Sequence, residues 1–254
     1  MPAMAFIKNN PTDNPDALLL EAAGLKALST LIDDHNLALH IPEILSVNAR
    51  QLSLERIPNQ SATTKQWQLL GDQLARLHQV PQSSFGYPDD NYIGLNPQQN
   101  GLFDDWGTFF YQQRLLFQCR LIQQDTIQTE IHQQLTQLQQ PLINWLNRDN
   151  IQPALLHGDL WSGNVLFSED KVWLIDPAVY WGDSEADIAM TELFGGFPRA
   201  FYQAYRQQRP LTSDYNLKKI CYNLYHYLNH YNLFGRGYLA ACRSHLNQLT
   251  AALT

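Results

Sequence analysis

Three oxygen-bearing side chains in one stretch of this sequence have the types and spacing of a phosphoryl-transfer site. In "LLHGDLWSGNVLF", Leu155 to Phe167, Asp159 and Asn164 stand five positions apart, and Asp176 follows twelve positions later, after the apolar run "KVWLI". A phosphoryl group carries dense negative charge that magnesium must offset. Asn164 offers an amide oxygen and Asp176 a carboxylate, both hard donors suited to that ion. Asp159 would accept or orient the proton of an attacking hydroxyl. The order H-x-D-x-x-x-x-N, then a hairpin, then an aspartate is the logic of kinase catalytic loops. The plain alternative is a hairpin with a polar turn and a helix cap.

Upstream, Lys8 ends the apolar run "AFIK" and Glu21 sits in a helical pattern. Such a lysine grips nucleotide phosphates and such a glutamate orients it; alone, the two would read as a surface lysine and a solvated glutamate. His157 is expected to support the loop rather than react. Asp187 is expected to bracket the loop by accepting backbone N–H bonds, with helix capping as the rival. Asp183 and Glu185 form an acidic pair that could attract a substrate ammonium, or belong to a solvated loop. His226 and His230 have metal-ligand spacing but no third ligand, so cleft lining or core packing is expected. Asp90, Asn91, Gln98 and Asn100 lie among turn formers and read as a surface loop or as a structured substrate wall. Trp161 has two readings: an aromatic face for a sugar, or a wedge that fixes the loop.

The elements that must position these residues are legible from periodicity. "AFIK" reads as a strand, and "NPDALLLEAAGLKALSTL" as a helix with Asn14 as its cap and Pro15 in its first turn. "EILSV" and "QLSLERI" read as two strands joined at Asn48–Ala49. Beyond about residue 61 helices dominate: "TKQWQLLGDQLARLHQV", "DDWGTFFYQQRLLFQ" with Trp106, Phe109, Phe110 and Leu116 as core, and a glutamine-rich stretch. In the last, Ile127, Ile131, Leu135, Leu138, Leu142 and Leu146 make an apolar stripe, with Pro141 a candidate kink. Two short strands, "NVLF" and "KVWLI", interrupt the helices. The turn-forming run "RIPNQSATT" marks a boundary, dividing the chain into 1–57 and 58–254.

The 254 residues suffice for one large domain or two lobes sharing a cleft. Apolar residues make up 44% and charged residues 16%, an ordinary globular composition. The net charge of −7, with no basic stripe, argues against a nucleic-acid partner and mildly favours a cationic substrate. Cys119, Cys221 and Cys242 form no CxxC pair and read as free thiols of a reducing cytosol. No apolar run is long enough for a membrane span, and "MPAMAFIKNN" does not read as a secretory signal. A cytoplasmic location is therefore expected.

"HGDLWSGNVLF", "LIDPAVYWGDSEADIAMTELFGGFP", "FGYPDDNYIGLNPQQNGLFDDWGTFFYQQRL" and "LYHYLNHYNLFGRGY" together resemble the fructosamine kinase (ketosamine-3-kinase) family, over nearly the whole chain. That family is protein-kinase-like and aminoglycoside-phosphotransferase-like. The resemblance implies an α+β, bilobal kinase-like fold with a mostly helical carboxy-terminal part. It implies transfer of phosphate from ATP, with Mg2+, to the third-carbon hydroxyl of a sugar joined to an amine, after which the adduct decomposes and frees the amine. By matching position Asp159 is catalytic, Asn164 and Asp176 hold the metal, and Lys8 and Glu21 serve the phosphates. "LSLERIP" matches the linking segment, where backbone groups of Glu55, Arg56 and Ile57 meet adenine. Trp161, Asp183 and Glu185 are candidate substrate contacts. Other readings are an aminoglycoside or choline-type small-molecule kinase, and an inactive binding protein.

Family members begin with two strands bearing a phosphate-covering loop, and no glycine precedes Gly24 here. The expectation is a shortened amino-terminal lobe with weak nucleotide affinity and slow or absent turnover. It also includes an open sheet edge that could drive self-association.

Overall fold

The computed structural model describes residues 5–254, so the first four positions of the expected 1–57 segment lie outside the described residues. The first elements are β1 (Ala5–Asn9), α1 (Ala17–Asp34), β2 (Ile44–Val47) and β3 (Gln51–Glu55). They form an antiparallel sheet in the order β1-β3-β2, with Lys8 opposite Leu52. Alternation on β3 turns Leu52 and Leu54 inward, where they meet Leu18, Ala22 and Leu25 of α1 in a small core. The β2–β3 turn is set by Asn48, whose side-chain oxygen accepts the N–H groups of Arg50 and Gln51. Helix α1 starts later than Asn14 suggests: that side chain accepts the Asp16 N–H at 2.9 Å and shapes the turn before the helix.

A connector of residues 56–63 follows. It leads into α2 (Thr64–Leu77), which starts at a capping box: Thr63 accepts the Gln66 N–H, and the Gln66 side chain accepts the Thr63 N–H. Next come four strands of three residues each: β4 (Phe85–Tyr87), β5 (Asn91–Ile93), β6 (Asn96–Gln98) and β7 (Gly101–Phe103). These correct the expectation of only two short strands beyond residue 61; three-residue strands are too short to show alternation. One helical run then comprises α3 (Trp106–Phe109), a π-helical stretch (Phe110–Leu116) and α4 (Phe117–Arg120). Trp106, Phe109 and Phe110 are buried as expected, and Leu116 packs at the core's edge. Helix α5 (Asp125–Leu146) buries the predicted stripe from Ile131 to Leu146, leaves Ile127 partly buried, and continues through Pro141.

The chemistry-bearing segment consists of β8 (Ala154–Leu156), the loop to a 3-10 turn at Ser162–Asn164, and the hairpin β9 (Val165–Ser168) and β10 (Lys171–Leu174). Strand β11 (Tyr180–Gly182) completes a four-stranded sheet in the order β7-β4-β11-β8. Helices α6 (Glu185–Thr191), α7 (Arg199–Gln208), α8 (Tyr215–Phe234) and α9 (Leu239–Leu253) close the chain's packing. The β9–β10 hairpin is stitched to the earlier residues at two places. His40 donates its N–H to Val172 O and accepts that of Leu174, both at 2.9 Å. On the other strand, Gln60 donates its N–H to Phe167 O at 2.8 Å, and the Asn59 side chain accepts the Phe167 N–H at 3.0 Å.

Among the described residues no helix is long and apolar enough to cross a membrane. The three cysteines are free and buried. Burial pushes the Cys119 thiol up to about 11 and that of Cys242 to about 12, so neither is a thiolate nucleophile near neutral pH.

Candidate active site

Gly158 lets the loop reach its position. Its φ is +81°, and a Cβ there would lie 2.0 Å from Ala178 O, a clash that only glycine avoids. Buried Asp187 holds the loop from behind: Oδ2 accepts the His157 N–H at 2.7 Å and Oδ1 accepts the Gly158 N–H at 2.9 Å. Burial disfavours the Asp187 charge, but His78, 3.3 Å from Oδ2, and the Gly158 N–H outweigh it and hold the carboxyl below its ordinary value. His157 spends its ring on the loop, with Nε2 2.9 Å from Ile175 O and Nδ1 3.3 Å from the Asp159 N–H. Burial lowers its pKa and keeps it neutral.

Asn164 turns its amide nitrogen to Asp159, donating to the backbone oxygen at 2.8 Å and to Oδ2 at 3.1 Å. Its amide oxygen is thereby directed away from Asp159. Asp176 adopts a left-handed φ of +52°, an unusual backbone for a residue other than glycine. Its Oδ1 accepts from Lys8 Nζ at 3.1 Å, while Lys8 Nζ donates to Glu21 Oε2 at 2.8 Å. Burial opposes the Lys8 charge, but Asp176 and Glu21 outweigh it and raise the pKa. The second Glu21 oxygen, Oε1, is buried without a partner. Burial raises the Asp159 carboxyl to about 7; Asp176 and Asp187 add to the rise, and the Asn164 amide opposes it.

Asp159, Asn164, Asp176, Lys8 and Glu21 line one cleft of about 260 Å³, together with Trp161. An adjoining recess of about 240 Å³ is lined by Phe6, Leu54, Glu55, Arg56, Ile57 and Asp176. Arg56 and Ile57 lie beyond Glu55, the last residue of β3 paired in the ladder among the described residues. Among the described residues no group of three or more His, Cys, Asp or Glu is arranged to hold a metal. Asn164 and Asp176 bring an amide and a carboxylate, two hard oxygen donors, to the cleft. That set fits a magnesium ion completing its shell with water and phosphate oxygens.

The structure overturns the expected role of Asp183 and Glu185. Both are buried, and Lys218 Nζ sits 3.0 Å from Asp183 Oδ2 and 3.2 Å from Glu185 Oε2. Tyr222 donates to Asp183 at 2.7 Å, and the Thr212 hydroxyl donates to Glu185 at 2.8 Å. These carboxylates are engaged inside the protein by one shared lysine and by neutral donors, and are not offered to a substrate. Trp161 packs as the wedge that its loop position suggests. Its ring lies over Gly163, where a Cβ would meet it at 2.3 Å, yet it is 37% exposed and lines the cleft. His226 is buried and His230 packs 5.0 Å from the Phe194 ring, in agreement with packing and cleft lining.

The segment around Asn91 is a buried amide knot rather than a surface loop. Gln98 donates to Ala178 O at 3.0 Å and Asn91 to Val179 O at 2.8 Å, which pins the strand following Asp176. Asn100 accepts from Arg114 at 2.8 Å and its N–H donates to Asp90 at 2.7 Å. Arg114 is fully buried, its guanidinium 4.1 Å above the Tyr180 ring and 4.6 Å from that of Phe109. Sequence reasoning missed Arg114; its signal was a charged residue inside an otherwise aromatic helical face.

A model of the fructosamine kinase family matches residues 3–252. The chain is 38% identical over 256 residues to the "Probable ketoamine kinase" of Synechocystis, covering 96% of this chain and 82% of that one. It is 35% identical over 242 residues to the chloroplastic protein-ribulosamine 3-kinase of Arabidopsis thaliana, covering 94% and 74%. A crystal structure described as a fructosamine-3-kinase, from Haemophilus somnus, superposes with a TM-score of 0.84 at 27% identity, covering 96% of this chain and 83% of that one. The ADP-bound aminoglycoside phosphotransferase APH(2'')-Ib shares the fold, with a TM-score of 0.59 at 16% identity over 98% and 87% of the two chains. The fold is thus the α+β, kinase-like one, and by its match along nearly the whole length the chain belongs to the fructosamine kinase family.

Proposed function

We propose that this chain transfers phosphate from ATP to the third-carbon hydroxyl of a ketosamine, a ketose joined to an amine, and so prepares the adduct to decompose and free the amine. In this reading residues 5–57 roof the nucleotide and residues 58–254 carry the catalytic loop. Adenine occupies the recess beside Glu55, Arg56 and Ile57, where backbone groups of the chain leaving β3 offer hydrogen bonds. Lys8, held by Glu21, faces the phosphates. Asn164 and Asp176 hold the metal. When bound, ATP supplies the phosphoryl group and Mg2+ offsets its charge. Asp159 accepts the proton of the attacking hydroxyl at its carboxylate, and a pKa near the working pH suits that task. The face of Trp161 supports the sugar.

The observation that carries this reading is the meeting of Lys8 with Asp176 at 3.1 Å in the cleft that Asp159 and Asn164 also line. An aminoglycoside carries several ammonium groups and needs free carboxylates; the engagement of Asp183 and Glu185 by Lys218 removes two candidates.

The test is phosphate transfer from Mg-ATP to fructoselysine, ribuloselysine and an aminoglycoside. Phosphate on the ketosamines is expected, and Asp159→Asn should lower kcat by about 10²–10⁴ without changing the far-UV circular dichroism. Wild-type turnover in that variant, or phosphate on the aminoglycoside alone, contradicts the assignment.

A further inference from the structure

A second cleft, of about 360 Å³, opens beside the first and shares Gly94, Asp159 and Trp161 with it. A molecule that brings a hydroxyl to Asp159 therefore has two directions in which to extend. One leads past Asn164 and Asp176 to Lys8. The other leads onto a run of rings. Trp161 stands edge-on to Phe194 with centroids 6.1 Å apart, and Phe194 lies 5.0 Å from His230. His230 in turn lies 5.5 Å from Phe234 and 5.1 Å from Tyr238.

Two features set this surface apart from ordinary core. It is open: Phe234 is 66% exposed and Phe194 37% exposed, although both adjoin a cleft. It is also uncharged. Among the described residues, no Lys, Arg, Asp or Glu apart from Asp159 lines the second cleft. His230 Nδ1 lies 2.7 Å from His226 O, and burial lowers its pKa, so the ring is neutral near pH 7. The Asn229 side-chain oxygen accepts from Asn96 at 2.8 Å. A carboxylate entering here would lose hydration without a cation to meet it and would face Asp159.

Taking the ketosamine-kinase reading as its basis, we infer that the amine side of the substrate is read by this aromatic shelf of Phe194, His230, Phe234 and Tyr238, which selects adducts of aromatic or apolar amines and rejects those with a carboxylate on the carbon next to the linking nitrogen. The nitrogen joining sugar and amine is a protonated secondary amine near neutral pH, and aromatic faces favour a cation. An aromatic substituent beyond it gains ring contact in addition to buried area. The shelf is thus a specificity-determining surface and takes no part in moving the proton.

The test compares the fructose adducts of phenethylamine, ethylamine and glycine, by equilibrium titration of the full chain with Mg-ADP and by steady-state kinetics with Mg-ATP. The phenethylamine adduct should bind about tenfold more tightly than the ethylamine adduct, and the glycine adduct weakest. Phe234→Ala and Phe194→Ala alter exposed rings, so the fold should stand. Both should bring the phenethylamine adduct to the level of the ethylamine adduct, through KM rather than kcat. Equal affinities for the three adducts, no measurable binding of any, or an unchanged preference in both variants overturns the shelf. Binding in the expected order with no phosphate transferred would leave the shelf standing and remove the kinase proposal. Transfer without preference would do the reverse.

Discussion

Lys8 and Asp176, 168 positions apart in the chain, meet at 3.1 Å. This contact joins the first strand to the end of the β9–β10 hairpin, and Glu21 completes it from α1. Lys8→Met should weaken Mg-ATP binding by about 30-fold, the worth of charge-assisted hydrogen bonds of about 2 kcal/mol. The variant also leaves the mostly buried Glu21 carboxylate unpaired and should melt earlier. Adding Glu21→Gln should return most of that stability and none of the nucleotide affinity. Nucleotide titration and thermal melting of both variants check this; wild-type ATP affinity in Lys8→Met contradicts it.

Asp187 anchors the loop from inside. Asp187→Ala leaves the N–H groups of His157 and Gly158 without their acceptors, and Nε2 of His78 without its partner. A cost of about 3–5 kcal/mol is expected, with kcat falling although Asp187 touches no substrate. The carboxyl is held below its ordinary value. Its stabilisation is therefore complete above the unfolded value of about 3.9 and is lost as pH falls through the lower folded value. Denaturant unfolding between neutral pH and pH 3 should show a steeper acid loss in wild type than in Asp187→Asn.

Arg114→Met should destabilise by about 2–4 kcal/mol, because Gln99 O and the Asn100 side chain lose a buried donor. Arg114→Lys should not restore the loss, since an ammonium cannot reproduce the planar fork. Loosening this knot frees Gln98 from Ala178, two residues past Asp176. The effect should thus include a fall in kcat, measured beside the melting temperature. A stable, fully active Arg114→Met protein contradicts the bracing role.

His226 is held neutral by burial, its pKa lowered to about 3. The unfolded chain binds a proton at this histidine below about 6.5. Stability is therefore fully present above that value and falls as pH drops toward the folded value, by up to about 1.4 kcal/mol per pH unit. His226→Gln should flatten this part of the profile, read as melting temperature from pH 7 to pH 4. Parallel profiles contradict the assignment.

The site was legible where its logic is local. Asp159 and Asn164 share one loop, Asp176 lies one hairpin away, and the amphipathic stripe of α5 follows from spacing alone. Asn48 announced its turn because it can satisfy two N–H groups by itself. What escaped depends on partners far along the chain. Asp183 meets Lys218 thirty-five positions later, so its burial left no mark on its own segment. Gln98 reaches Ala178 eighty positions away, and a run of Asn, Gln and Pro is equally good chemistry for a turn and for a buried amide network. The strands from β4 to β7 are three residues long, below the length at which a period of two can be recognised.

The stitches from His40 and from Asn59–Gln60 to the two strands of the hairpin have a thermodynamic consequence. The recess beside Glu55 to Ile57 has one wall on the first sheet and the other on that hairpin, and the stitches hold the segments flanking β2 and β3 to both hairpin strands. Its width is fixed when the chain folds. In the proposed reading, in which a planar base enters this recess, the entropy of ordering its walls is not charged against nucleotide affinity.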